Sequence, residues 1–178
     1  VLLAQGFEEI EATTVIDVLR RAEIETVTLS VGGSGLEVVG AHGIAMKADR
    51  SIGDGASETW DMVVLPGGMP GASNLRDDPA AQSLIREQHA AGRRLGAICA
   101  APIALAAAGV LQGKRATSYP GFESQLTGAT YLTKPVIKDG TVVTSRGPGT
   151  AFAFALEIVS ELQGRAVAEK LRSAMLIG

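Results

Sequence analysis

The chain has one cysteine, Cys99, in RRLGAICAAPIALAAAGV. Leu95 to Ile98 read as a buried strand, and an alanine-rich helix follows with Pro102 in its first turn. A thiol at such a junction meets the positive end of the helix dipole and unpaired backbone N–H groups. Both favour the thiolate, so the expectation is a nucleophile with a pKa below the free value of about 8.5. The other reading of a lone cysteine is a small buried hydrophobe. Gly96, Ala97, Ala100 and Ala101 are small enough to let a substrate or another backbone come close. In LPGGMPG, Gly67 and Gly68 bare their N–H groups after a strand, which suits an oxyanion hole or simply a tight turn. Glu8, Glu9 and Glu11 cluster where the first helix begins, as acids do for dipole reasons alone, and most such clusters are solvated. A carboxyl forced into an apolar crevice would instead have a raised pKa and could donate a hydrogen bond to a thiolate. The residues themselves do not choose among the three glutamates. Histidine is scarce: His89 lies in a polar helical stretch, and His42, in GAHGI, is loop filler or a pocket residue.

These residues exclude several chemistries. No His-x-Glu pair follows the cysteine, against a class I glutamine amidotransferase, and GxSxG is absent, against an α/β-hydrolase. The glycine loop matches neither the dinucleotide fingerprint nor the phosphate loop. The expectation is therefore no cofactor and no metal. A net charge of −3 gives no electrostatic case for nucleic acid or an anionic membrane. No apolar run approaches a membrane span. One cysteine cannot close an internal disulfide, and VLLA is too short for a signal-peptide core, so a cytoplasmic setting is expected.

The elements that must position these residues alternate. Strands are expected at Val1 to Ala4, Thr26 to Val31, Trp60 to Leu65, Leu95 to Ile98 and Arg115 to Ser118. Helices are expected at about Glu9 to Ala22, Asp78 to Ala91, Thr150 to Leu162 and Arg165 to Met175. LEVVG and GIAMKA form a hairpin-like excursion, and Val136 to Lys138 and Thr141 to Ser145 flank Asp139-Gly140, a strong hairpin signal. Apolar rather than alternating strands, separated by helices, imply a mostly parallel sheet covered on both faces. The 178 residues suit one domain, 1–178, whose core is aliphatic: 46 % of residues are hydrophobic and only 4 % aromatic. In such a sheet ligands bind beyond the carboxyl ends of the strands, which is where Gln5 to Glu11, Pro66 to Gly71, Cys99 and Ser118 to Gly121 all fall.

LAQGFEEIEA, DVLRRA, VVLPGG with GASNL, AICAAP and TSRGPGT with FAFAL, in this order, resemble the DJ-1/ThiJ/PfpI superfamily, most closely its DJ-1 branch. The resemblance covers essentially the whole chain. It implies a flavodoxin-like three-layer α/β sandwich and a homodimer. It also implies that Cys99 is the nucleophilic, oxidisable cysteine, that Glu11 hydrogen-bonds its thiolate, and that Gly68 and Ala100 are the backbone donors beside it. By the same resemblance Arg21 lines the pocket mouth, and Arg146 and Pro148 belong to the loop close to the cysteine. One position departs from the pattern: Tyr119 stands where many relatives have a histidine before the proline. Tyrosine is no general base at neutral pH, although it can donate a hydrogen bond. His42 aligns near a position that the family presents to the partner subunit's pocket. The implied activity is a cofactor-independent attack of Cys99 on α-oxoaldehydes such as methylglyoxal, or on their early adducts with protein amines and thiols, of the glyoxalase or deglycase type. The alternatives are a redox-sensing stress or chaperone protein that uses Cys99 and, third, a cysteine peptidase.

Overall fold

The computed structural model describes residues 1–33 and 35–178. Its central strands explain why helices cover both faces. In β6 (Met62–Leu65), Val63 and Leu65 face one core and Val64 the other. β7 (Arg94–Ile98) divides Leu95 and Ala97 from Ile98, and β11 (Val142–Ser145) divides Val142 from Val143. Each strand is apolar on both sides, so each side needs a helical cover. One layer holds α2 (Ile52–Gly55), α3 (Gly71–Asp77), α4 (Pro79–Ala90) and α5 (Pro102–Ala107). The other holds α1 (Glu9–Arg21), α6 (Ala151–Gln163) and α7 (Arg165–Ala174).

Two hydrogen-bonded sheets form the middle layer. One has the order β1 (Leu2–Ala4), β2 (Leu29–Val31), β5 (Arg50–Ser51), and is parallel throughout. The other runs β10 (Val136–Asp139), β11, β7, β6, in which only the β10–β11 pair is antiparallel. β1 runs beside β6, and Leu2, Ala4 and Leu29 share one core with Val63, Leu65 and Leu95. The expected α/β sandwich is therefore present, with its mostly parallel strands in two hydrogen-bonded groups, one parallel and one mixed, rather than one continuous ladder. At mid-sheet a Cβ on Gly96 would meet Met62 Cε at 2.9 Å and Phe154 Cζ at 3.1 Å, so the aromatic ring of α6 takes the space a side chain would need. No helix among the described residues is long and apolar enough to cross a membrane.

The excursion is the expected hairpin: β3 (Glu37–Val39) pairs antiparallel with β4 (Ala45–Lys47). Helix α4 starts as its sequence indicates, with Pro79 first and the Asp78 carboxylate accepting the Ala81 N–H at 2.9 Å. Several boundaries differ. β2 is confined to Leu29–Val31, and β8 to Arg115–Ala116, which pairs with β9 (Thr130–Tyr131), a strand with no clear sequence signal. Helix α3 was not expected either. It begins on Gly71 with no side-chain cap, so nothing in its sequence announces it. The β10–β11 turn is displaced by one residue. Asp139 still pairs, with Val142, and Gly140 (φ +61°) and Thr141 make the turn. Asp139 is held in the strand because its carboxylate accepts both the N–H and the Nε–H of Arg115.

Candidate active site

The carboxyl ends of β1, β6, β7 and β11 meet around Cys99. Two backbone contacts build the nucleophile's position. Its N–H donates to the Ser145 carbonyl at 3.0 Å, and its own carbonyl accepts the Tyr119 N–H at 2.9 Å. Between these anchors Cys99 has φ +63°, a left-handed conformation that costs a non-glycine residue roughly 1–3 kcal/mol and persists only where the surroundings enforce it. The turn lifts the side chain from the strand toward the crevice, leaving it 8 % exposed.

Glu11, in the first turn of α1, is the glutamate that points inward, and it is fully buried. Its Oε2 accepts the Gly67 N–H at 2.8 Å. Its Oε1 has no hydrogen-bond partner among the described residues, and the Glu11 carboxyl lies close enough to the Cys99 thiol for each to act on the other's proton. Gly67 separates the two groups: a Cβ there would lie 2.5 Å from Cys99 Cβ and 2.8 Å from Glu11 Oε2. Gly68 has φ +87°, and a Cβ on it would come within 2.4 Å of the Glu8 nitrogen. No other residue type fits either position. The N–H groups of Gly68 and Ala100 are directed at the cysteine sulfur.

Burial dominates the electrostatics. It pushes the Glu11 carboxyl up to about 7, against the pull of the Gly67 N–H and the Cys99 hydrogen bond, with the nearby Glu8 charge adding to the rise. Burial, followed by the Glu11 charge and hydrogen bond, pushes the Cys99 thiol up to about 12; the Gly68 and Ala100 N–H groups oppose this. Burial and the Glu11 charge therefore work against the depressed thiol pKa that the sequence leads one to expect, and the Gly68 and Ala100 N–H groups work for it. Helix α5 is only six residues long, and its field does not outweigh a desolvated thiol beside a carboxylate. Glu11 matches its expectation of a raised pKa. The two groups titrate as a coupled pair.

Glu8 and Glu9 are not solvated cap acids. Both are buried. Glu8 is the N-cap of α1, its Oε2 accepting the Glu11 N–H at 2.7 Å. Glu9 holds the loop between β3 and β4, accepting the His42 N–H at 2.6 Å and meeting His42 Nδ1 at 2.8 Å. Burial works to raise the Glu9 carboxyl, but the hydrogen bonds from His42 and Ile44 hold it below its ordinary value, and the Glu9 hydrogen bond holds His42 above its own. The His42 side chain is 71 % exposed and faces Glu9, so within one chain it is a rim residue. Oxygens of Glu8 and Glu9 and a nitrogen of His42 lie within 4.8 Å of one another, a candidate cation cluster whose contacts within the protein already explain its arrangement.

The other expected residues divide. Arg146 follows Ser145 directly, with a buried Nε that has no partner, and Pro148 opens the 3-10 turn Pro148–Thr150. Tyr119 adjoins this loop, since a Cβ on Gly147 would lie 3.2 Å from its ring, and its side chain is 48 % exposed. Arg21 is not brought to the site. It lies at the far end of α1, about 15 Å along the helix from Glu11, and pairs with Asp17 at 2.7 Å. Sequence reasoning missed Ser145, whose contribution is a backbone carbonyl with no residue signature. It also missed the capping role of Glu8, whose spacing three residues before Glu11 was a usable signal.

Residues 1–161 match the sequence model described as the DJ-1/PfpI family. The chain belongs to the DJ-1/PfpI family. Among its relatives, Protein dj-1beta of Drosophila melanogaster is 41 % identical, over 99 % of this chain and 95 % of that one. The protein named glutathione-independent glyoxalase DJR-1.2 of Caenorhabditis elegans is 38 % identical, over 88 % of this chain and 83 % of its own. The crystal structure of Drosophila melanogaster DJ-1beta superposes with a TM-score of 0.95 at 40 % identity, covering 99 % of this chain and 96 % of that one. The DJ-1/PfpI fold is therefore shown along with the family, as the AICAAP and SRGPGT segments indicated.

Proposed function

We propose that this DJ-1/PfpI protein converts α-oxoaldehydes such as methylglyoxal to 2-hydroxy acids without a cofactor. One observation carries the reading: a fully buried carboxyl with a pKa near neutrality has one oxygen on Gly67 N–H and the other free beside the only thiol. Glu11 carboxylate removes the Cys99 proton as sulfur attacks the aldehyde carbon, giving a hemithioacetal. Gly68 and Ala100 N–H groups stabilise the oxyanion until Glu11 hands it the thiol proton and is a carboxylate again. Glu11 then moves the proton from the former aldehyde carbon to the neighbouring carbonyl carbon by way of an enediol, leaving a thioester of the hydroxy acid. Water cleaves the thioester and restores the thiol, so the sum is one aldehyde plus one water giving one acid. The name of the Caenorhabditis elegans relative supports this class of chemistry. Lactate formation from methylglyoxal by the wild type and by Cys99→Ala tests it. Steady turnover is expected from the first and at least a hundredfold less from the second; equal rates refute the reading.

We further infer a cytoplasmic homodimer. Ile10 and Ile44 are 57 % and 59 % exposed, and they flank Glu9 on the α1 and hairpin side of the molecule together with Val39. A second copy covering this face would shield them.

A further inference from the structure

Glu8 contacts the site twice without touching the sulfur. Its backbone N–H donates to the Gly67 carbonyl at 2.9 Å, on the peptide adjoining the glycines that face Cys99. Its Oε2 accepts the Glu11 N–H at 2.7 Å. Gly68 packs so closely on the Glu8 nitrogen that no side chain fits between them. Glu8 is also buried, an unusual state for a carboxylate whose only task is to cap a helix. The charged or titratable groups around it are Glu11 on its own helix, Glu9 beside it, His42 from the β3–β4 loop and, behind Glu11, Cys99 from β7.

We propose that Glu8 is a positioning residue for the proposed reaction, its side chain fixing the start of the helix that carries the base Glu11 while its backbone fixes the loop that carries the oxyanion donors, so that base and donors move as one unit. The proposal rests on the proposed function for its kinetic consequence but not for its structural one. Replacing Glu8 by glutamine keeps a side-chain acceptor for the Glu11 N–H and removes the charge. Replacing it by alanine removes both. Replacing it by aspartate keeps a charged group that caps helices well.

The experiment measures kcat and KM for methylglyoxal against pH in Glu8→Gln, Glu8→Ala and Glu8→Asp. In parallel, the protonated-carboxyl infrared band of Glu11 is titrated, assigned by its loss in Glu11→Gln. In Glu8→Gln the acid limb of kcat/KM and the infrared midpoint should both move to lower pH, because a negative neighbour of Glu11 has gone. In Glu8→Ala kcat should fall about tenfold with KM nearly unchanged, as misplacement of a reacting group produces. Glu8→Asp should recover most of the kcat. The proposal is overturned if the Glu8→Gln infrared midpoint and kcat match the wild type, or if Glu8→Ala loses only melting temperature. If the wild type fails to turn over methylglyoxal, the function reading falls, and the infrared shift alone decides for or against Glu8. Should Glu8→Ala not fold, Glu8→Gln and Glu8→Asp carry the same decision.

Discussion

Glu11 holds its proton to about pH 7, against an ordinary 4.5, because its carboxyl is buried. A folded-state pKa above the unfolded one means that the native chain binds the proton more tightly. The contribution of this proton to stability is therefore full below about pH 4.5 and is lost as pH rises through 7. Above that, an ionised Glu11 costs the fold about 3 kcal/mol. Glu11→Gln, which stays neutral, should raise the melting temperature at pH 8.5 and change it little at pH 5; thermal scans at both values check the difference. The same ionisation should govern catalysis in the opposite sense. The base form of Glu11 is needed to take the thiol proton, so kcat/KM for methylglyoxal should climb through an acid limb near pH 7. A flat profile from pH 5.5 to 8.5 would remove Glu11 from that role. The sequence pointed to Cys99 and Glu11 through the family resemblance, and to a raised pKa for a carboxyl forced into an apolar crevice, but not to the cost of burying the thiol. Burial is a property of the assembled core, and the helix-dipole argument at Cys99 did not include the cost of desolvating the thiol, ahead of an α5 of only six residues.

At the scale of elements, the apolar runs of β6 and β7 and the extent of α4 from about Asp78 were readable, because each carries its signal within its own few residues. Helix α3 was not, since Gly71 starts it with no capping side chain. Nor was the β10–β11 turn register, which depends on Asp139 being engaged by Arg115 from another element. The loop after β6 gives a prediction of its own. Gly68→Ala forces a Cβ within 2.4 Å of the Glu8 backbone at a positive φ, and should destabilise the protein by roughly 2 kcal/mol or more as well as abolish turnover. Denaturant titration gives the first and lactate assay the second; a stable, active variant would contradict the close packing of this loop on α1. Tyr119 is tied to the nucleophile through its backbone, so Tyr119→Phe should leave that N–H bond intact and lower kcat/KM by no more than about tenfold, the equivalent of one hydrogen bond.

At the scale of the whole molecule, the exposed Ile10 and Ile44 bear on assembly. A charge on either would be buried in the proposed two-fold interface at high cost, so Ile44→Glu should shift the proposed dimer to monomer in light scattering while its circular dichroism is unchanged. A wild type that is monomeric at micromolar concentration would remove this expectation. The backbone of Cys99 has a wider consequence. It is pinned by the carbonyl of Ser145 and the N–H of Tyr119, both far away in sequence, and its thiol is muted by burial and by Glu11 of α1. None of these partners is local, so the unusual chemistry of this sulfur vanishes as soon as the chain opens. A small alkylating reagent at pH 8 should then find an ordinary thiol and react faster with the unfolded chain than with the native one. Cys99 would in that way serve as an internal counter of global opening, and its labelling rate in dilute denaturant would report how often the whole sandwich comes apart.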